Sequence, residues 1–208
     1  MELTSFGVSH NLTPSDDDYI PPELIGLREP ITPEQFEELC SRNRKLRLEL
    51  TSTGELIIMP PTGFETSRRN SNLTYQLEAW SRMDGTGVCC DSGVIFVLPN
   101  GACRSPDASW IKREKFEHLT KDERERFGRF SPDFVVELRS RSDRLTQLRN
   151  KMLEWIENGV SLGWLIDSFK RKVYVYRPNE ELIIMDNPET VSGDPLLPGF
   201  TLNLTELW

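Results

Sequence analysis

The sequence predicts a mixed α/β (or α+β) fold, a mostly central β-sheet flanked by two long α-helices, and three observations carry it. Helical and strand-like segments follow one another as helix, hairpin, helix, several strands, helix and two strands. The run "PDFVVEL" reads as a central strand. A chain of 208 residues with 37% hydrophobic content can bury one sizeable core. Residues 32–208 are therefore read as one domain, preceded over residues 1–31 by an irregular extension rich in proline and carrying the acid run Asp16 to Asp18.

The elements follow in order. Thr32, Pro33 and Gln35 make the capping box and first turn of a helix through "PEQFEELCSRN". "KLRLEL" and "GELIIM" flank "TSTG" as a β-hairpin, stopped by Pro60 and Pro61. "FETSRRNSNLTYQLEAWSRM" repeats Leu73, Leu77 and Trp80 at helical spacing, with Glu65 in its first turn. "GVCCDSGVIFVL" gives one bent strand or two short ones, and "SPDASWI" gives another. Thr120 and Glu123 fit a capping box in "HLTKDERERF". After "PDFVVEL", a cap at Ser142 or Asp143 opens the helix "RLTQLRNKMLEWIEN", which closes on Gly159. Its apolar face holds Leu145, Leu148, Met152, Trp155 and Ile156, with Lys151 at the rim. "SLGWLID" and "KVYVYRP" form a second hairpin, a last extended segment follows at "ELIIM", and "LPGFTLNLTELW" comes last.

Composition narrows the function. No apolar run reaches membrane-span length and the first residues lack a signal-peptide pattern, so a cytoplasmic protein with no membrane partner is expected. Cys40, Cys89, Cys90 and Cys103 show no zinc spacing and read as reduced core thiols. A net charge of -8 excludes a protein that coats nucleic acid indiscriminately. The stretch from Arg104 to Lys151 nevertheless carries thirteen Lys and Arg against nine Asp and Glu.

That basic stretch contains "SPDASWI" and "SPDFVVELRSRSD", two strands with acids at Asp107, Asp133 and Glu137. Glu137 sits among Val135, Val136 and Leu138, and a carboxylate in such company must be paired, hydrogen-bonded or metal-bound. One resolution is an ion pair with Arg139, two residues on along the same face. The other is a Mg²⁺ or Mn²⁺ site shared with Asp107, since Mg²⁺ takes one or two carboxylates and leaves its remaining positions to water and phosphate oxygens. A lysine beside such an ion would orient or activate the attacking water.

Together "LELTSTGELIIMPPTGFETS", "SPDASWI", "SPDFVVELRSRSD", "LRNKMLEWIENGV" and "LGWLIDSFKRKVYVYRP" resemble the Uma-two family of bacterial endonucleases, over roughly residues 32–208. The resemblance implies the restriction-endonuclease-like core of the PD-(D/E)xK nucleases, a central mixed β-sheet flanked by α-helices with a metal site at the strand ends. It makes Asp107 and Glu137 the metal-binding acids, Glu65 an auxiliary acid, and Lys151 the catalytic lysine in place of a strand lysine. Arg139 stands where that strand lysine would be, and Thr66 where a histidine often follows the helix acid. Arg139 and Arg141 are expected to contact the substrate. The implied function is metal-dependent hydrolysis of DNA phosphodiester bonds, with a homodimer expected by analogy. The competing reading is a binding or assembly module that keeps the nuclease fold without catalysis.

Overall fold

The computed structural model describes residues 23–25 and 30–208. Most of the extension read as irregular lies outside the described residues, but Glu23–Ile25 within it is a strand, β1, that adds to the edge of the first hairpin. Thr32 opens α1 (Pro33–Arg42) as its capping box requires: its hydroxyl accepts from the Gln35 N–H at 3.3 Å while the Gln35 amide oxygen accepts from the Thr32 N–H at 2.7 Å. The hairpin forms from β2 (Arg47–Leu50) and β3 (Leu56–Met59). Leu48, Leu50 and Leu56 close over Phe36 of α1. α2 (Phe64–Asp84) buries Leu73 and Leu77 and ends at Gly85 in the left-handed region.

The apolar stretch after α2 is two strands, β4 (Gly87–Asp91) and β5 (Phe96–Val97), which enter different sheets. β6 (Cys103–Arg104) and β7 (Ala108–Lys112) follow, then α3 (Arg113–Glu117), which the sequence pattern did not suggest, and α4 (Lys121–Arg124) with its Thr120 capping box. β8 (Phe134–Leu138), α5 (Leu145–Glu157), β9 (Leu162–Asp167), β10 (Lys172–Tyr176) and β11 (Ile183–Asp186) come next. The chain closes on β12 (Thr190–Ser192) and β13 (Thr201–Asn203), an antiparallel pair.

The main sheet has the order β11-β10-β9-β8-β7-β4, parallel between β8 and β9 and antiparallel elsewhere. A parallel pair needs a crossover, and α5 supplies it. The second sheet has the order β1-β3-β2-β6-β5. Phe134, Val136 and Leu138 of β8 pack on the α2 side with Leu73 and Leu77, whereas Val135 packs on the α5 side with Met152 and Trp155. Strand period two then turns Glu137 toward α5. The helix lies close because β9 has Gly163 beneath it, where a Cβ would fall 2.4 Å from the Met152 methyl.

One cap differs from expectation. Asp143 accepts from the Ser140 N–H at 2.7 Å and the Ser140 hydroxyl at 2.5 Å, so it closes the loop before α5 and leaves Arg144 as N-cap, with no side-chain cap bond. The four cysteines are free thiols, pushed by burial to about 11 or 12. Among the described residues no helix is long and apolar enough to cross a membrane.

Candidate active site

Asp107 precedes β7 and Glu137 lies in β8, the antiparallel neighbour, where the Asp107 N–H bonds to the Val136 carbonyl at 3.0 Å. The same pairing holds the Asp107 carboxylate: Oδ2 accepts from the Leu138 N–H at 2.7 Å, and Oδ1 accepts from the Asn70 amide of α2 at 3.0 Å. Glu137 is 4% exposed, and its Oε1 accepts from the Trp155 indole at 2.9 Å and meets the Lys151 ammonium at 2.9 Å. Trp155 is thus both core and acid partner.

Lys151 and Trp155 are four residues apart on α5, so both reach the sheet from one helix face. Besides Glu137, Lys151 donates to Glu49 Oε1 at 2.8 Å and to the Ser105 carbonyl at 2.9 Å. Glu49 comes from β2 of the second sheet, where Leu48 and Leu50 point to their own core and send Glu49 the other way. Arg104 meets the other Glu49 oxygen at 3.1 Å and binds Glu154 at 2.6 Å. The cluster lines a cleft of about 490 Å³ walled by the second sheet, the loop before α5 and the first turns of that helix.

Glu49, Glu137 and Glu154 share Lys151 and Arg104, Asp107 lies in the field of the same lysine, and the titration behaviour follows from that crowding. Burial pushes Glu137 up to about 7, with Asp107 and Glu49 adding to the shift and Lys151 opposing it. Burial also raises Asp107, against the pull of the Leu138 N–H and Lys151. Glu49 is drawn the opposite way: burial would raise it, but Lys151 and Arg104 together hold it ionised. Burial works against the charge on Lys151 too, and Glu137 with Glu49 overrides it, so the group is a firm ammonium.

A divalent cation fits this donor set. A divalent charge would offset the burial that raises Asp107 and Glu137, these two acids offer hard oxygens from adjacent segments of the sheet, and the buried Oδ1 of Asn70 has no partner. Among the described residues no three His, Cys, Asp or Glu side chains form a metal cage by themselves, so water and substrate oxygens would complete the shell.

Other expected residues stand elsewhere. Arg139 does not pair with Glu137: the parallel register sets Leu138 beside Ile166, hence Arg139 beside fully buried Asp167, which it binds at 2.9 Å. Arg141 is exposed, and Glu65 is exposed and paired with Arg68 at 3.2 Å, whereas Thr66, one residue on, lines the cleft. Asp133 clamps the strand end through Lys115 and the Lys112 N–H, both at 2.9 Å. Glu49, Asn70 and Arg104 are the residues that sequence reasoning missed. Glu49 lies inside the "LELTSTGELIIM" motif, but its position between two core leucines reads locally as a solvent-facing acid.

A family model described as "Putative restriction endonuclease", Uma2, matches residues 33–205. The chain belongs to the Uma2 family. A structure titled as a putative nuclease belonging to DUF820, from Anabaena variabilis ATCC 29413, superposes with a TM-score of 0.70 over 86% of this chain and 97% of that one. At 20% identity that likeness speaks for the fold, a mixed sheet with flanking helices. No curated protein matches. Within this Uma2 chain the acid pair and Lys151 sit where β7, β8 and the crossover helix converge.

Proposed function

We propose that the protein is a divalent-metal-dependent endonuclease that hydrolyses DNA phosphodiester bonds. The observation that carries the reading is the convergence of Asp107, Glu137 and Lys151 from β7, β8 and α5 in one cleft. Asp107 and Glu137 would hold the cation, whose chemistry is to offset the charge that develops on the phosphate. Each acid is aimed by protein donors: Asp107 by the Leu138 N–H and Asn70, Glu137 by the Trp155 indole. Lys151 is a firm ammonium and so acts as a hydrogen-bond donor and not as a base. Its three bonds go to Glu49, Glu137 and Ser105, so contact with a phosphate oxygen or the attacking water replaces one of them.

The test pairs binding with cleavage. Millimolar Mn²⁺ should raise the melting temperature of the wild type and support nicking of supercoiled plasmid. Asp107→Ala should abolish both, and Lys151→Ala should abolish nicking while Mn²⁺ still raises the melting temperature. A wild-type protein that neither shifts with Mn²⁺ nor cuts would overturn the reading in favour of a non-catalytic module.

A further inference from the structure

A second hollow, about 470 Å³, opens beside the cleft and shares Arg47 and Thr62 with it. One wall is a single stripe of α2: Ser67, Asn70, Ser71, Thr74, Tyr75 and Glu78, at helical spacings of three and four. The stripe has no aliphatic residue, although the helix buries Leu73 and Leu77 on its other side. Short hydroxyl and amide groups dominate it, and Tyr75 is 71% exposed. Asn70 belongs to both places, since it lines the hollow and holds Asp107.

The hollow carries charges of both signs. Arg47, at the junction with the cleft, donates to the Ser92 carbonyl at 3.1 Å and keeps further guanidinium donors. Glu78 and Asp91 mark acidic positions in the hollow. Glu78 binds Arg82 and Asp91 accepts from the Gly93 N–H at 2.8 Å, each through one oxygen. A second carboxylate oxygen remains on each. A phosphate suits Arg47 and is repelled by the two acids, whereas an exocyclic amino group on a base edge donates to a carboxylate. An exposed aromatic ring among polar groups is the usual platform for an unpaired base.

We infer that this hollow is a base-reading subsite: it takes the nucleotide flanking the scissile phosphate out of the stack, with its phosphate at Arg47, its base on Tyr75 and an exocyclic amino group toward Glu78 and Asp91. The inference rests on the nuclease reading of the adjoining cleft and extends it to the class of base preferred. Adenine, cytosine and guanine, each with an exocyclic amino group, are accepted, and thymine, which has none, is disfavoured.

The experiment measures fluorescence anisotropy of labelled single-stranded dA, dC and dT homopolymers with Ca²⁺ present, for the wild type, Tyr75→Ala and the double variant Glu78→Gln, Asp91→Asn. The wild type should bind dA and dC several-fold tighter than dT. Tyr75→Ala should weaken dA and dC binding roughly tenfold, and the double variant should erase the preference over dT. Melting curves check that the variants fold, and the Mn²⁺ shift of Tyr75→Ala should equal that of the wild type. A wild type that binds and cuts DNA, yet shows no preference over dT or loses nothing with Tyr75→Ala, overturns the subsite and leaves the nuclease. A wild type that neither binds nor cuts DNA overturns both.

Discussion

Lys151 carries two buried carboxylates on one ammonium, Glu49 at 2.8 Å and Glu137 at 2.9 Å. Removing it leaves Glu49 with Arg104 alone and Glu137 with the Trp155 indole and no paired cation, so Lys151→Ala should lower metal-free stability by about 3–5 kcal/mol in urea denaturation. Arg42→Ala, which breaks an exposed pair with Glu38, should cost under about 1 kcal/mol. Equal losses would show that Lys151 is not held between the acids. Glu137 sets a pH dependence whose sign can be worked out. Its folded pKa, about 7, lies above the ordinary carboxyl value of 4.5, so the folded state binds the proton more tightly. The stability that proton confers is present at low pH and is lost as pH rises from 4.5 to about 7. In EDTA the urea midpoint of the wild type should therefore fall through that window more steeply than that of Glu137→Gln. Parallel profiles would mean that the carboxyl titrates normally.

At the scale of elements, α5 places the lysine, and Gly163 permits its approach. Gly163→Ala puts a Cβ 2.4 Å from the Met152 methyl and should destabilise by about 1–3 kcal/mol through overpacking. The Gly163→Ala, Met152→Ala double variant should recover part of the overpacking loss, a coupling that a double-mutant cycle in urea would measure. Additive losses would mean that the helix does not rest on β9 through that methyl. The strands show the reach of local patterning. "KLRLEL", "PDFVVEL" and "KVYVYRP" became strands because their apolar residues fit a sheet, and both capping boxes closed as their spacing requires. α3 and β12 escaped notice because neither has a strong period: α3 buries no residue, and β12 is three residues long with one buried side chain.

For the whole molecule, the cleft is a seam between two sheets. Glu49 and Arg104 belong to the second sheet, Lys151 and Glu154 to the helix that rides on the main one, and the pairs Arg104–Glu154 and Lys151–Glu49 cross the gap. Breaking the seam should loosen both walls together. In hydrogen exchange, Glu49→Ala should speed exchange in β2 and in the first turns of α5 while β9 and β10 keep their protection. Uniform acceleration across the main sheet would instead place Glu49 in the global core. Divalent metal should act in the reverse sense, slowing exchange around Asp107 and Glu137.

The sequence by itself determined the order of elements, the central strand, and the pairing of Asp107 with Glu137 as acids of neighbouring strands. Those features are local or nearly so: a strand alternates at period two and a helix at 3.6 whatever surrounds it. It also placed Lys151 at the rim of an apolar face, from which a long side chain can reach the sheet. Only the tertiary structure decided who partners whom. Glu137 took Lys151 and Trp155, not Arg139, because the parallel register of β8 and β9 gave Arg139 to Asp167. Glu49, one hundred and two residues from Lys151, entered the site, while Glu65 stayed outside it. Contacts between distant segments depend on how sheets and helices dock, and docking is fixed by close packing such as Met152 over Gly163, which no local period records.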